Sequence, residues 1–410
     1  MSGEPSYDAI VVGARCAGSP TAMLLAQAGW RVLLVDRATF PSDTLSTHLI
    51  QPQGIAALQR WGLLDPVVAT GCPPMPAVRY QFGPVVIEGR PRPVAGNSLT
   101  YAPRRTVLDK LLVDAACRAG AELWDSTVVE GLLWDGGAVT GVRLRRGEAR
   151  AVEVHAPVVI GADGRNSLVA ASVHAPAYDE QPAHAVAYYS YWAGLPTRGR
   201  VEMYPLRHHR RGWGVAETND ALTMVVVGWP VAEMVAHRHD FERTYLQALE
   251  LVPTFAERVG GAERVTRIRG CTTPNFFRRP FGPGWSLVGD AGYTKDPITA
   301  QGISDAFLDA ERCALALVEW RSGGRDFAGA LAAYQEDRDR RARPMYEFTQ
   351  RIASWDAEIP ELEAVVHAVA GDPEGADLFV SASAGTAPFS ELMAWMGGRS
   401  AAAAVASVGA

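Results

Sequence analysis

The sequence predicts an α/β protein: a parallel sheet covered by helices, an inserted antiparallel sheet, and a helical C-terminal region. Three observations carry this. Short apolar runs at 7–12, "WRVLLVD", "APVVIGADG" and "WSLVGDAG" read as strands buried on both faces. Between about 176 and 275 the chain turns to aromatic and β-branched runs, "AVAYYSYW", "RVEMYPL" and "ALTMVVVGW", which suit antiparallel strands. From about 326 onward the pattern is helical.

The elements follow in order. The first strand enters a glycine loop; Ala22, Leu25 and Ala26 then recur at helical spacing, Gly29 stops the helix, and "WRVLLVD" is the next strand. Strand, loop, helix, strand is the opening of a βαβ unit. "QPQGIAALQRWGLLD" reads as a helix starting near Pro52 and stopped by Gly62. In "RRTVLDKLLVDAACRAGAEL", Leu108, Leu112, Ala115 and Ala119 share one helix face and Gly120 ends it. Thr127 to Ile160 reads as a β-meander broken by "DGG" and "RRGEAR". Ile303, Phe307, Ala310, Ala314 and Leu317 form a helical stripe, and "RSAAAAVASVGA" is a low-complexity tail open to disorder. The nucleotide-binding unit is thus expected in three parts, 1–75, 101–175 and 276–325. A substrate domain is expected from 76–100 and 176–275, and a helical region from 326–410.

Bulk properties narrow the function classes. A formal net charge of −6 over 410 residues argues against nucleic-acid binding, which needs a basic face. Lysine occurs only at Lys110 and Lys295. Five scattered cysteines without a C-x-x-C pair suit a reducing cytoplasm and offer neither a disulfide framework nor a zinc site. There is no leader-like start and no apolar run of about 18 residues, so a cytoplasmic protein without stable membrane insertion is expected. G-x-S-x-G, P-loop and H-E-x-x-H patterns are missing, which leaves hydrolase, nucleotide triphosphatase and metalloprotease readings without support. No pattern fixes an oligomeric state.

"VVGARCAGSP" approximates G-x-G-x-x-G, with Gly13 and Gly18 in the outer slots and Arg15 in the middle one. The backbone of Gly13, Ala14, Arg15, Cys16, Ala17 and Gly18 would meet a pyrophosphate at a helix start. Asp36, followed by Arg37, ends the next strand, where a carboxylate accepts both hydroxyls of an adenosine ribose; this favours FAD or NAD over NADP. "GADGRNS" and "GDAGYTKDPITAQGIS" then follow. With these motifs in this order, and the Arg-x-x-Leu-Asp helix, the chain resembles the FAD-dependent monooxygenases of the p-hydroxybenzoate hydroxylase class (the group A flavoprotein monooxygenases) and the related geranylgeranyl reductases. The resemblance covers roughly residues 7–325 and is weakest in the middle.

That resemblance implies an FAD-binding, glutathione-reductase-like Rossmann fold, with NAD(P)H as a transient reductant. It matches Arg105 to an FAD-contacting arginine, Val129 to a residue meeting adenine through its backbone, Asp163 to the acid of the Asp-Gly motif, and Pro297 to a proline beside the flavin C4a edge. Asp290, after Gly289 at the end of an apolar strand, would bind ribityl hydroxyls. The amides of Gln301, Gly302 and Ile303, at a helix start, would stabilise negative charge along N1 and C2=O of reduced flavin.

Departures mark the candidates for chemistry. Tyr293 replaces the family's usual His, and Thr299 a Gly. His48, in "STHLI", is a candidate proton donor or substrate anchor, or simply a packed side chain. Lys295 and Asp296 either contact substrate or pair with each other. Tyr191, Tyr204 and Trp213 are candidate cavity residues, though most strand aromatics are core. "RHHRRGW" reads as a polar hairpin tip in preference to a phosphate grip, and "HRHD" as a solvated surface in preference to a metal site. Arg15 would neutralise phosphate charge, reach toward the flavin, or face solvent.

The function expected is an FAD-dependent monooxygenase using NAD(P)H and molecular oxygen. It would hydroxylate an electron-rich, aromatic or polyketide-like small molecule through a flavin C4a-hydroperoxide. The alternatives are a flavin reductase of C=C bonds, like the geranylgeranyl reductases, and a non-catalytic flavin-binding protein. Flavin halogenases share this fold, but their W-x-W-x-I-P motif is missing ("YWAGLP" is nearest) and the first third of the chain holds only Lys110.

Overall fold

The computed structural model describes residues 7–355 and 359–408, with backbone alone from 399. Its central sheet has six strands in the order Phe281–Gly282, Trp285–Leu287, Val159–Gly161, Ala9–Val12, Val32–Val35, Glu122–Trp124. All neighbours are parallel except the edge hairpin formed by the first two. Every residue of Ala9–Val12 and Val32–Val35 is buried, which is why these strands lack polar alternation. Helices Gly18–Gln27, Arg105–Arg118 and Gly302–Arg321 cover one face. The stripe Ile303, Phe307, Ala310, Ala314 and Leu317 is wholly buried there. The meander Thr127–Asp135, Ala138–Arg146, Val152–His155 covers the other face.

A second sheet runs Glu263–Arg264, Ala185–Ala193, Leu222–Pro230, Arg211–Glu217, Arg200–Leu206, Ala77–Phe82, Val85–Gly89. The early segment joins the later strands in parallel, Ala77 opposite Arg200. Here one expectation needs correction, because 176–275 is not strand throughout. Helices Phe241–Glu250 and Pro253–Gly260 pack Tyr245, Ala248, Leu249 and Phe255 against Val186, Val225, Val227 and Trp229. Phe241, Tyr245, Ala248 and Leu249 recur at three- and four-residue spacing among charged neighbours, a helical pattern inside a β-rich region.

The sheet's opposite face is covered by C-terminal helices Phe327–Ala353, Pro360–Val369 and Pro373–Ala384, with Phe389–Val408 beyond. Proline opens two of them, where its missing N–H costs nothing. Asp326 and Asp372 cap their helices by accepting from Gly329 N and Gly375 N. The alanine-rich tail, read as open to disorder, continues the last helix to Val408 in keeping with alanine's helix propensity; 409–410 lie outside the described residues. A small sheet, Ala177–Gln181 with Asn275–Arg278 and Tyr293–Thr294, joins the two larger ones. Wholly buried Arg338 pins it, donating to Gly292 O, Arg278 O and Tyr178 Oη, so its charge is buried with partners. Among the described residues no helix is long and apolar enough to cross a membrane.

Candidate active site: a dinucleotide recess and an apolar cavity

The glycine loop is shaped by two close approaches. Gly13 has φ +101°, and a Cβ there would stand 2.5 Å from Ala162 O. A Cβ on Gly18 would stand 1.7 Å from Gly13 O. Any larger residue therefore pushes the helix start away from the strand. Asp36 Oδ2 accepts from Ala14 N at 2.7 Å and Oδ1 from Ala38 N at 2.8 Å, which fixes the carboxylate at the strand tip. Thr127 N donates to Asp36 O, bringing the strand that carries buried Val129 alongside; Arg37 is exposed.

Arg15 reaches across to the neighbouring helix. Its guanidinium donates to Asp109 Oδ2 at 2.5 Å and to Ser42 Oγ at 2.9 Å, and stacks on Phe40. Fully buried Asp109 also receives the fork of Arg105 at 2.9 and 3.1 Å and lies 3.4 Å from Cys16 Sγ. Burial pushes the Cys16 thiol well up from its ordinary value.

Asp163 is used locally: it accepts from Ser167 Oγ at 2.5 Å and Leu168 N at 2.7 Å, holding the start of helix Leu168–Ser172. Asp290 follows buried Gly289 and is itself exposed, within a recess toward which Lys295, Arg105 and Arg165 direct positive charge. The surrounding protein raises its carboxyl pKa while those cations oppose the rise. Next, Asp296 caps the turn Pro297–Thr299, and Ala300 turns back at φ +50°. Gln301 and Ile303 are buried, whereas Gly302 is exposed with nothing within 4 Å of its Cβ direction. The start of helix Gly302–Arg321 thus faces open space with its amides available. Ser304 Oγ accepts from Gln51 N at 2.9 Å, tying segment 47–51 to this helix.

The donor set fits FAD. Amides of a constrained glycine loop suit a pyrophosphate, Asp36 and Asp290 suit ribose and ribityl hydroxyls, and an open helix start suits an anionic flavin edge.

Segments 47–51 and 296–300 also wall a cavity of about 1450 Å³, counting its mouth, between the second sheet and the C-terminal helices. The sheet contributes small residues: Ala185, Ala187, Gly212, Gly214, Ala216 and Gly228. Phe348, Ile352, Trp355 and Phe379 face them. Asp296 and Arg207 are the charged residues of this lining among those described. Asp296 Oδ1 accepts from Ile298 N at 3.1 Å and Oδ2 from Ala185 N at 3.2 Å, and burial raises its pKa to about 6.

A family model described as "FAD binding domain" matches residues 6–349. The chain belongs to this flavoprotein family. It is an FAD-dependent oxidoreductase, and the motif resemblance and the fold class read from sequence agree with that. The 6-methylpretetramide 4-monooxygenase of Streptomyces rimosus is 29% identical over 361 residues, covering 84% of each chain. A digeranylgeranylglycerophospholipid reductase of Thermoplasma volcanium is 24% identical over 331 residues, 74% of this chain and 76% of the relative. The myxobacterial chondrochloren halogenase shares the fold at TM-score 0.79 and 23% identity, with 88% of each chain covered.

The remaining candidates of this flavoenzyme sort by location. His48, fully buried at φ +61°, stacks on Tyr191 with ring centroids 5.6 Å apart, and its Nε2 is hydrogen-bonded to the Tyr191 hydroxyl. Burial first, then Arg105 and Arg104, lower its pKa to about 3, so it is neutral at physiological pH. Arg104 lies over the Tyr191 ring at 5.1 Å.

Lys295 and Asp296 do not pair with each other. Lys295 binds Asp305 in the first turn of helix Gly302–Arg321 and lies over Tyr293, because its side chain leaves the loop on the helix side. Tyr204 and Trp213 border the cavity, yet their rings pack away from it. Their rings stack at 4.9 Å on the sheet's outer face beside Phe255, and the Tyr204 hydroxyl is bound to Glu202. Gly212, Trp213, Gly214 and Tyr204 all border the cavity, but side chains alternate across a strand and the rings of Trp213 and Tyr204 turn to the outer face.

"RHHRRGW" is a hairpin tip in which Arg210 and Arg211 pair with Glu233. His237 of "HRHD" lies 3.9 Å from Glu233 and 3.5 Å from Asp240. Among the described residues no three His, Cys, Asp or Glu side chains are grouped to hold a metal. Sequence reasoning missed Trp355, a lone Trp beyond a helix end, and Gln51, whose role depends on distant Ser304.

Proposed function

We propose that this flavoenzyme is an NAD(P)H-dependent monooxygenase that hydroxylates an electron-rich, flat aromatic or polyketide-like molecule held in the apolar cavity. The observation that carries this reading is a mostly apolar chamber walled by segments 47–51 and 296–300, the same segments that border the FAD recess. Its apolar and aromatic lining with a few polar groups is the usual make-up of a small-molecule site, and the flat faces of Phe348, Trp355 and Phe379 suit a planar ring. The Streptomyces rimosus relative, named a 6-methylpretetramide 4-monooxygenase, supports oxygenation of a small organic molecule.

Bound FAD supplies electron acceptance from NAD(P)H and activation of oxygen. The chain's residues do the rest. The amides at Gln301 to Ile303 favour negative charge on the flavin edge. The cavity walls exclude water from the reacting atoms. Asp296, poised with a pKa of about 6, takes the proton from a substrate phenol and so makes its ring more electron-rich. His48 stays neutral and orients the Tyr191 hydroxyl.

Two observations weigh against halogenation. Lys110 pairs with Asp114 on the helix surface, Lys295 pairs with Asp305, and neither lines the cavity. The match to a lipid reductase keeps C=C reduction as the second reading. Reduction of an alkene ligand by NAD(P)H under argon would establish it and displace ours. For the monooxygenase reading, NAD(P)H bleaching of bound flavin should accelerate when a polycyclic phenol is added, with oxygen consumed in step and little peroxide released.

A further inference from the structure

We infer that Trp355 is the residue that reads the substrate: its indole N–H donates to an obligate acceptor, a ketone or quinone oxygen, on a flat polycycle. The inference rests on the cavity being the substrate site. Trp355 follows helix Phe327–Ala353 at φ +58°, a conformation that tryptophan adopts only when its surroundings demand it. Those surroundings are the glycines of the sheet. The indole Cη2 stands 3.3 Å from where a Gly212 Cβ would lie, and Cζ2 stands 3.7 Å from that of Gly228. The ring is accommodated because both positions lack side chains.

Nε1 and Cζ2 are both bonded to Cε2, so the N–H lies on the ring edge nearest Gly228, one of the glycines that line the cavity. Trp355 is 4% exposed, and its Nε1 is buried without a hydrogen-bond partner. Such a donor sits in deficit until a ligand supplies an acceptor, and that deficit becomes selectivity for acceptor-bearing ligands. Indole N–H only donates, so a carbonyl matches it better than a hydroxyl that must also place its own proton. The indoles of Trp213 and Trp229 also lack partners, but they face the packed outer side of the sheet, away from the cavity. Beside Trp355, Arg207 donates to Ile352 O at 2.9 Å and gives this end of the cavity positive potential, so an anionic group on the ligand is welcome there.

The test uses the FAD holoenzyme and two probes of the same plane and charge, anthraquinone-2-sulfonate and anthracene-2-sulfonate. Binding is followed through the flavin spectrum. The wild type should bind the quinone about tenfold more tightly, the value of one well-made hydrogen bond to a buried donor. Trp355→Phe should lose that preference while binding the anthracene probe as the wild type does. A preference retained in Trp355→Phe overturns the inference, as does wild-type enzyme that binds both probes equally or neither. The wild-type comparison decides the point even where the variant takes up no FAD. None of these outcomes involves oxygen, so their failure leaves the monooxygenase reading standing.

Discussion

Arg15, in the slot where a dinucleotide loop ordinarily carries its second glycine, donates at 2.5 Å to Asp109 on helix Arg105–Arg118. The loop is thereby tied to a neighbouring helix by a charge, and Asp109 becomes the shared anion of two arginines. The two ends of this contact are unequal. Arg15 is 24% exposed, whereas Asp109 is fully buried.

Removing the buried end should therefore cost more. Asp109→Asn leaves two cations without their anion and should destabilise by about 3–5 kcal/mol. Arg15→Gly leaves the Arg105–Asp109 fork in place, keeps the fold, and should cost no more than about 1 kcal/mol while altering FAD affinity. Chemical denaturation and FAD titration of both variants check the order; a larger loss for Arg15→Gly refutes it.

Gly18→Ala should abolish FAD binding, since its Cβ would fall 1.7 Å from Gly13 O and the backbone must move. Purified variant protein should be colourless after incubation with FAD. A yellow protein of wild-type affinity would show that the loop has slack the structure denies it.

His48 gives a pH signature. Its folded pKa, about 3, lies below the ordinary value of 6.5, so the unfolded chain binds more protons between these limits. Stability from keeping His48 neutral is therefore complete above pH about 7 and falls as pH drops, by about 2 kcal/mol at pH 5. His48→Asn, which tolerates the left-handed backbone, should show a flatter decline between pH 7 and 5 in thermal melts. Parallel curves for the two proteins would contradict the burial argument.

Asp296 should appear in activity. With a pKa near 6, it gains the ability to accept a proton as pH rises through that value. The kcat/KM for a phenolic substrate should rise with a midpoint near 6, and Asp296→Asn should flatten the limb and lower activity by about 10²–10⁴-fold. An unchanged limb in the variant removes Asp296 from proton transfer.

How far the sequence could be read depended on how local the cause was. The glycine loop, Asp36 and the stripe from Ile303 to Leu317 were legible because each is a short-range pattern with one physical meaning. Trp213 was legible only in part, because alternation tells that its ring opposes Gly212 and Gly214, not which side meets the cavity. Lys295 misled because its choice between Asp296 and Asp305 depends on where a helix begins. Trp355 was invisible, since nothing near "RIASW" says that the chain folds back over two glycines of a distant sheet.

The central claim is transfer of one oxygen atom to a molecule in the cavity, and isotope labelling tests it most directly. FAD holoenzyme, NAD(P)H and a polycyclic phenol are incubated under ¹⁸O₂, and the product is weighed by mass spectrometry. The account predicts one ¹⁸O atom per product molecule and one NAD(P)H oxidised for each. Product formed without label, or formed equally well in the absence of oxygen, would contradict it.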